Sequence, residues 1–356
     1  MRFNCLVCAA ILLLCSCVQN DDYHESLFNE ETEIQFKTGD KAVTRAIVTG
    51  TAMTQDFKVY GYINSDDDVE AEEGARYIMK DAQYNSDGTP SGGKKYYWPA
   101  NSTFTANFTA YSPANYLANE TNYWNNGVLT IPVDASKMND DCVDLLIANT
   151  SNVTPKLFSS TLNDKKTIRV DTVGLKFHHA LAFIQFQAKH ENNEAIKYVK
   201  IRTISFTSAL NTKSTLTINT GANYSSSWGE SNTPDTNNNF AGNVELSNEY
   251  KKLSDMLIVP QGVPGKVTIV YDIKIQNETG DLITYKNRSI TRDINGGEDA
   301  NTTGKFTTYE SGKKYIYRVN ISVDELEFNV SVSDWTTGDW WQIWDHDVET
   351  EATYSF

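Results

Sequence analysis

Residues 103–110, TFTANFTA, alternate without interruption. Phe104, Ala106, Phe108 and Ala110 take one parity, and Thr103, Thr105, Asn107 and Thr109 the other. A period of two fits a half-buried β-strand and no helix, because successive strand side chains leave opposite faces. The pattern recurs. VTIVYDIKIQ carries Val267, Ile269, Tyr271, Ile273 and Ile275 on one face, YIYRVNISV carries Tyr315, Tyr317, Val319, Ile321 and Val323, and ELEFNVSVSDW carries Leu326, Phe328, Val330 and Val332. DFKVYGYIN at 56–64 and VDLLIANT at 143–150 predict further strands, whereas NSDGTPSGGKK at 85–95 and the Ser/Asn/Gly-rich 221–243 predict loops. Helical periodicity is confined to the first residues. The expectation is an all-β chain of antiparallel β-sandwiches. Its 356 residues suit two in tandem, meeting near 160–170.

One segment is apolar on both faces. In VGLKFHHALAFIQFQAKH, Leu175, Phe177, His179, Leu181 and Phe183 oppose Ala180, Ala182, Ile184, Phe186 and Ala188. That predicts one long strand, either central in its sheet or covered by the neighbouring domain.

The start of the chain carries an address. Arg2 precedes an apolar run, Leu6 to Leu14, which is too short to span a bilayer. Leu14-Cys15-Ser16-Cys17 then looks like a bacterial lipobox, with cleavage before Cys17 and a lipid such as palmitate on its thiol; an ordinary signal peptide ending nearby is the alternative. Of five cysteines, three would leave with the signal and Cys17 would be acylated. Cys142 alone would remain, so no internal disulfide is expected. The net charge of −15 argues against nucleic acid or an anionic membrane surface as partner. Membrane contact is expected only through the N-terminal lipid.

In chain order, YYWPANSTFTANFTAYSP, DLLIA, LKFHHALAFIQF, LIVPQG and a late VSVSDW resemble the fimbrillin-like subunits of the FimA/Mfa-type pili of the Bacteroidales. The resemblance covers essentially the whole chain. It implies an outer-membrane lipoprotein precursor, displayed on the cell surface and in the fimbrium, with two tandem transthyretin-like antiparallel β-sandwich domains. The expected division is a signal peptide at 1–16, a lipidated tether with a removable first strand at 17–45, an N-terminal sandwich at 46–165 and a C-terminal one at 166–356. Asp21 and Asp22 resemble the acidic export signal of such lipoproteins, and a solvated tether would read the same way.

The resemblance also implies an assembly mechanism. A trypsin-like processing protease cuts after an arginine, a first strand leaves, and another subunit's strand fills the groove by donor-strand exchange. Here the removable strand is residues 32–38, with Thr32, Ile34, Phe36 and Thr38 alternating with polar neighbours, and the cut falls between Arg45 and Ala46. Otherwise Arg45 is an ordinary linker residue. The candidate donor is the C-terminal segment: Val348, Thr350, Ala352, Tyr354 and Phe356 share one parity, and Trp341 and Ile343 the other, so a continuous strand needs a break near 345–347. A last edge strand on its own domain is the competing reading. Expected partners are other fimbrial subunits, the protease, and a host or bacterial surface receptor.

No motif for catalysis or a cofactor is present: HExxH, GxSxG, P-loop and dinucleotide-binding glycine patterns are missing. His178 and His179 are strand neighbours and should point to opposite faces, so they cannot chelate one ion. SDDDVEAEEG at 65–74 lacks the calcium-loop spacing. No enzyme, cofactor or metal is expected. The aromatics of YYWP and DWWQIW suit buried cores better than sugar stacking, and a monomeric surface glycan-binding lipoprotein is the alternative function.

Overall fold

The computed structural model describes residues 28–38, 55–64, 77–99, 105–117, 123–125, 127–136, 143–154, 169–221, 224–229, 234–235, 240, 242–294, 306–324, 326–335 and 354–355. Among them the one helical turn is the 3-10 turn Ser91–Gly93. No helix there is long and apolar enough to cross a membrane.

The first ten strands are β1 (Phe28–Thr38), β2 (Phe57–Asn64), β3 (Tyr77–Tyr84), β4 (Tyr97–Pro99), β5 (Thr105–Ser112), β6 (Trp124–Asn125), β7 (Val128–Asp134), β8 (Leu146–Val153), β9 (Arg169–Leu175) and β10 (His178–His179). A five-stranded sheet runs β10-β8-β5-β2-β3 and a three-stranded sheet β4-β1-β9. They share one core, in which Ile34, Phe36 and Val173 meet Phe57, Ala106, Phe108 and Trp98.

The remaining strands are β11 (Ala182–His190), β12 (Ile196–Phe206), β13 (Leu210–Asn211), β14 (Lys213–Asn219), β15 (Ser225–Trp228), β16 (Pro234–Asp235), β17 (Val244–Glu245), β18 (Lys251–Ile258), β19 (Gln261–Gly262), β20 (Lys266–Gln276), β21 (Leu282–Asp293), β22 (Thr308–Tyr309), β23 (Lys313–Ile321), β24 (Leu326–Asp334) and β25 (Tyr354–Ser355). Sheets β18-β11-β23-β24-β25 and β17-β12-β20-β21 enclose a second core, centred on Ile184, Phe186, Ile204, Ile269, Tyr317 and Phe328. The short pairs β13–β16 and β19–β22 form two-stranded sheets of their own, and Leu210 and Tyr309 from them join the second core.

The architecture is the expected all-β one, with two departures in direction. β1 lies parallel to β9, and β11 parallel to β23. All other pairings are antiparallel among the described residues.

A third core joins the two. The sheet β15-β14-β7-β6 takes strands from both sides of residue 165, as β7 pairs with β14 along its whole length. β9 and β10 likewise pair back to β1 and β8. Leu129, Ile131, Leu216 and Ile218 pack with Leu181, Phe183, Leu257 and Trp335 in one cluster.

That cluster accounts for the segment that is apolar on both faces. The expected single strand is broken: β9 ends at Leu175, β10 is a two-residue bridge, and β11 begins at Ala182. Phe177 belongs to the first core, Leu181 and Phe183 to the joining core, and Ala182, Ile184 and Phe186 to the second. A chain that crosses three cores in one pass must be apolar on both sides.

Two other expectations need correction. The polar face of β5 does not look into solvent: Asn107 and Thr109 are buried. Asn107 donates to the Gly221 carbonyl at 3.2 Å and accepts from the Asn152 amide at 2.9 Å. Covering chain on that face satisfies the Asn107 side-chain amide in place of water. The region 221–243 is not wholly loop either, since β15 pairs with β14 from Asn219–Ser225 to Leu216–Trp228.

Candidate assembly site

β1 is first in sequence and interior in its sheet. On one side it pairs with β9 at seven positions, from Thr32 opposite Arg169 to Thr38 opposite Leu175. On the other side its register to β4 is interrupted between Phe28–Pro99 and Glu33–Tyr97. Loop backbone completes that edge. The Ile34 amide donates to the Tyr96 carbonyl at 2.7 Å, and the Phe36 amide to the Gly88 carbonyl at 3.1 Å. The Tyr84 hydroxyl donates to the Ile34 carbonyl at 3.3 Å, and the Thr38 hydroxyl to the Ser86 carbonyl at 3.0 Å.

The side chains of β1 fill a seat. Thr32, Glu33, Ile34 and Phe36 are exposed by 1, 2, 0 and 2 %, whereas Lys37 lies in solvent. Phe36 meets Tyr84, Phe108 and Phe57 edge-on, with ring centroids 4.7, 5.3 and 6.3 Å away. Edge-to-face contacts of this kind add to simple burial. Burial also pushes the Tyr84 phenol above its usual pKa.

Glu33 departs from the alternation that placed it outside. Its carboxylate accepts from Lys95 Nζ at 2.6 Å and from Gln35 Nε2 at 3.0 Å. Lys95 closes over it and is itself held above the usual lysine value, first by that hydrogen bond and then by the carboxylate charge.

The NSDGTP turn is the clamp on this seat. Gly88 has φ of +86°, and an added Cβ would stand 1.7 Å from the Phe36 carbonyl oxygen. Only glycine allows the approach. Sequence reading found the turn and the strand separately. It missed Gly88, Lys95 and Tyr84 as parts of the seat, because nothing local links 84–95 to 32–38.

Three of the spaced motifs meet at the joining core. His179 Nδ1 of LKFHHAL lies 2.5 Å from Asp144 Oδ2 of VDLLIA, and the His179 ring stacks on Trp335 of VSVSDW, centroids 3.6 Å apart and planes 7° off parallel. His178 is exposed and His179 buried, so they do face opposite ways. Among the described residues no group of three or more His, Cys, Asp and Glu side chains could hold a metal ion.

Of the residues singled out from sequence, Thr32, Ile34, Phe36 and Thr38 come together in β1. Tyr354 lies in β25, which adds to the edge of β24 with Tyr354 opposite Val330 and Ser355 opposite Asn329. Cys17, Arg45, Ala46, Trp341, Ile343, Val348, Thr350, Ala352 and Phe356 lie outside the described residues.

The described residues form an all-β molecule in which β1 is seated in a core shared with β2, β5 and β9. The chain belongs to the fimbrillin-like family, whose model matches residues 44–335. Among solved structures it is similar to a fimbrial protein from Bacteroides vulgatus, at 15% identity and a TM-score of 0.51, covering 85% of this chain and 99% of that one. A fimbrial assembly protein from Parabacteroides distasonis matches at 10% identity and 0.39, covering 91% and 98%. The tip fimbrial protein Mfa3 from Porphyromonas gingivalis, with C-terminal truncation, matches at 11% and 0.36, covering 85% and 99%. The comparison with curated proteins finds no match.

Proposed function

We propose that this chain is a structural subunit of cell-surface fimbriae, exported as a lipoprotein on Cys17, cut after Arg45 and polymerised by exchange of β1 for a strand of another subunit. The single observation that carries this reading is the seating of β1: Ile34 and Phe36 are core residues of the first sandwich, held by backbone on both sides. Burial of each such side chain contributes about 1.5–3 kcal/mol. The intact precursor therefore keeps its own groove filled, and a filled groove presents no open edge for indiscriminate pairing. A cut after Arg45 removes the covalent link, so that an incoming strand competes with β1 on equal terms.

The test begins with mass spectrometry of protein recovered from surface filaments. A mature N-terminus at Ala46 is expected, and an N-terminus at acylated Cys17 in filaments overturns the cleavage step. Purified precursor treated with low-dose trypsin should give ladders on unheated gels, and Arg45→Ala should stay monomeric. Equal ladders from both rule out cleavage at Arg45 as the switch. Glycan binding by a monomer that never polymerises would favour the surface glycan-binding alternative.

A further inference from the structure

We propose that the outer face of the sheet β17-β12-β20-β21 binds an anionic polysaccharide, one bearing carboxylate or sulfate groups along its chain, through Lys200, Arg202, Lys274 and Lys286 with Tyr198 beside them. The site belongs to a sheet of the second core and not to the β1 seat. It does not depend on strand exchange, and binding is expected of monomer and filament alike.

Charge is sorted within this acidic chain. β12, β20 and β21 together carry eight Lys and Arg against two Asp, a local excess of six positive charges in a molecule of net charge −15. Register puts the central cations on one face. Val199 and Ile201 of β12 lie opposite Ile273 and Tyr271 of β20, and all four are core residues. The residues between them face the other way, with Tyr198 opposite Lys274 and Lys200 opposite Asp272. Lys274 pairs onward to Thr284 of β21. Two bulges then crowd this face. One inserts Arg202 between Ile201 and Thr203 while Ile204 and Phe206 stay in the core, and the other sets Lys286 and Asn287 against the single Asp272.

Asp272 holds the cluster together. Arg202 donates to it through Nε at 3.0 Å and through Nη2, and to Asn243 Oδ1 at 2.5 Å, while the Asn287 amide donates to Asp272 Oδ1 at 2.8 Å. One carboxylate therefore answers four cations. Three of the five Arg202 N–H groups are used, and its side chain is still 35 % exposed. Lys200 and Lys274 make no hydrogen bond or ion pair among the described residues. On the opposing sheet, by contrast, Lys252 has Asp255 at 3.0 Å and Lys313 has Asp334 at 2.8 Å.

The geometry selects a long, narrow polyanion. Neighbouring strands lie about 4.8 Å apart, so cations on three of them spread over about 10 Å, more than one phosphate or carboxylate reaches. Exposed charges further away than about 8 Å are largely screened at physiological salt, so the local excess governs a ligand lying on the face. A bilayer or a nucleic-acid duplex is broad, and would also meet exposed Glu278 and Asp281 in the turn beyond β20. An extended peptide is read through main-chain groups and side-chain pockets. Here the backbone is committed to the ladder, and Val270 is the one aliphatic side chain on the outer positions of β20. The hydroxyls of Thr203, Thr284 and Ser289 and the Tyr198 ring instead offer hydrogen bonds and an aromatic surface to a sugar chain.

Calorimetric titration of the purified full chain with heparin, polygalacturonate and neutral dextran tests the site. The anionic polymers should bind and dextran should not. The triple change Lys200→Ser, Lys274→Ser and Lys286→Ser should weaken binding at least about tenfold and flatten its salt dependence, because fewer counterions are released. Arginine at the same three positions should preserve binding. Lys274→Ser alone, which removes no contact within the protein, should weaken it at least about threefold. The triple change Lys94→Ser, Lys176→Ser and Lys213→Ser removes the same charge from exposed positions elsewhere, and should stay within about twofold of wild type. Equal losses in the two triples, full binding by the first triple, binding of dextran, or failure of both anionic polymers to bind overturns the proposal. So does binding of poly-glutamate or phosphatidylserine vesicles that depends on the same three lysines and is as tight as that of the polysaccharides. Each of these outcomes leaves the strand-exchange reading standing.

Discussion

The Phe36 amide donates to the Gly88 carbonyl at 3.1 Å, while the Gly88 Cα lies so close to the Phe36 carbonyl that an added Cβ would stand 1.7 Å from its oxygen. The turn therefore grips the first strand by backbone, and glycine is the condition of the grip. Gly88→Ala should destabilise the intact precursor by about 1–3 kcal/mol from the left-handed backbone alone, with the backbone clash adding to it. Thermal melts should show a lowered Tm, and cleaved protein should lose β1 faster. An unchanged Tm would mean that the turn does not bear on the strand.

Two neighbours in β1 should behave oppositely. Phe36 is buried among three rings, and Lys37 is exposed. Phe36→Ala should cost about 3–5 kcal/mol in urea unfolding, and Lys37→Ala should stay within about 0.5 kcal/mol. Equal effects would place Phe36 outside the core.

The joining core makes its own prediction. Asp144 Oδ1 and His179 Nε2 are buried without a hydrogen-bond partner among the described residues, so each residue depends on the 2.5 Å contact between them. In a double-mutant cycle, Asp144→Asn and His179→Gln should be non-additive by about 0.5–3 kcal/mol. Additive losses would show that the two act independently.

Acid stability should depend on Asp272. Arg202 donates to its side chain, and the Asn287 amide donates to Oδ1 at 2.8 Å. The Arg202 hydrogen bond foremost holds the carboxyl below its usual value. A carboxyl lowered on folding contributes stability that is present above the unfolded value of about 3.9 and lost as pH falls through the lower folded one. Urea midpoints measured from about pH 6 to about pH 2 should fall less steeply for Asp272→Asn than for wild type below about pH 4. Parallel curves would remove Asp272 from the acid response.

Much of the fold was legible because period-two alternation is a local property. Of the residues that alternation selects, Val267, Ile269, Tyr271 and Ile273, then Tyr315, Tyr317, Val319 and Ile321, then Leu326, Phe328 and Val330 are buried, and Ile275, Val323 and Val332 at or just past the strand ends are half-buried. The same rule failed at β5 and at Glu33. Alternation separates two faces, and whether the polar face meets water or another part of the chain depends on what packs there. The break between β9 and β11 was hidden for a related reason, since three apolar surroundings in succession look like one continuous strand.

The sequence by itself determined that the chain is made of strands, that residues 32–38 present Ile34 and Phe36 to a core, and that the molecule is strongly acidic, because these follow from side-chain spacing and charge. Tertiary structure alone decided that β1 lies inside its sheet, parallel to β9 and gripped by Gly88. It alone decided that Glu33 is enclosed by Lys95, and that His179, Asp144 and Trp335 meet at the core that joins the other two. Spacing tells a strand which side to bury. Its neighbour and direction follow from which distant apolar faces close one core, and from which backbones, free of a Cβ, approach near enough to bond.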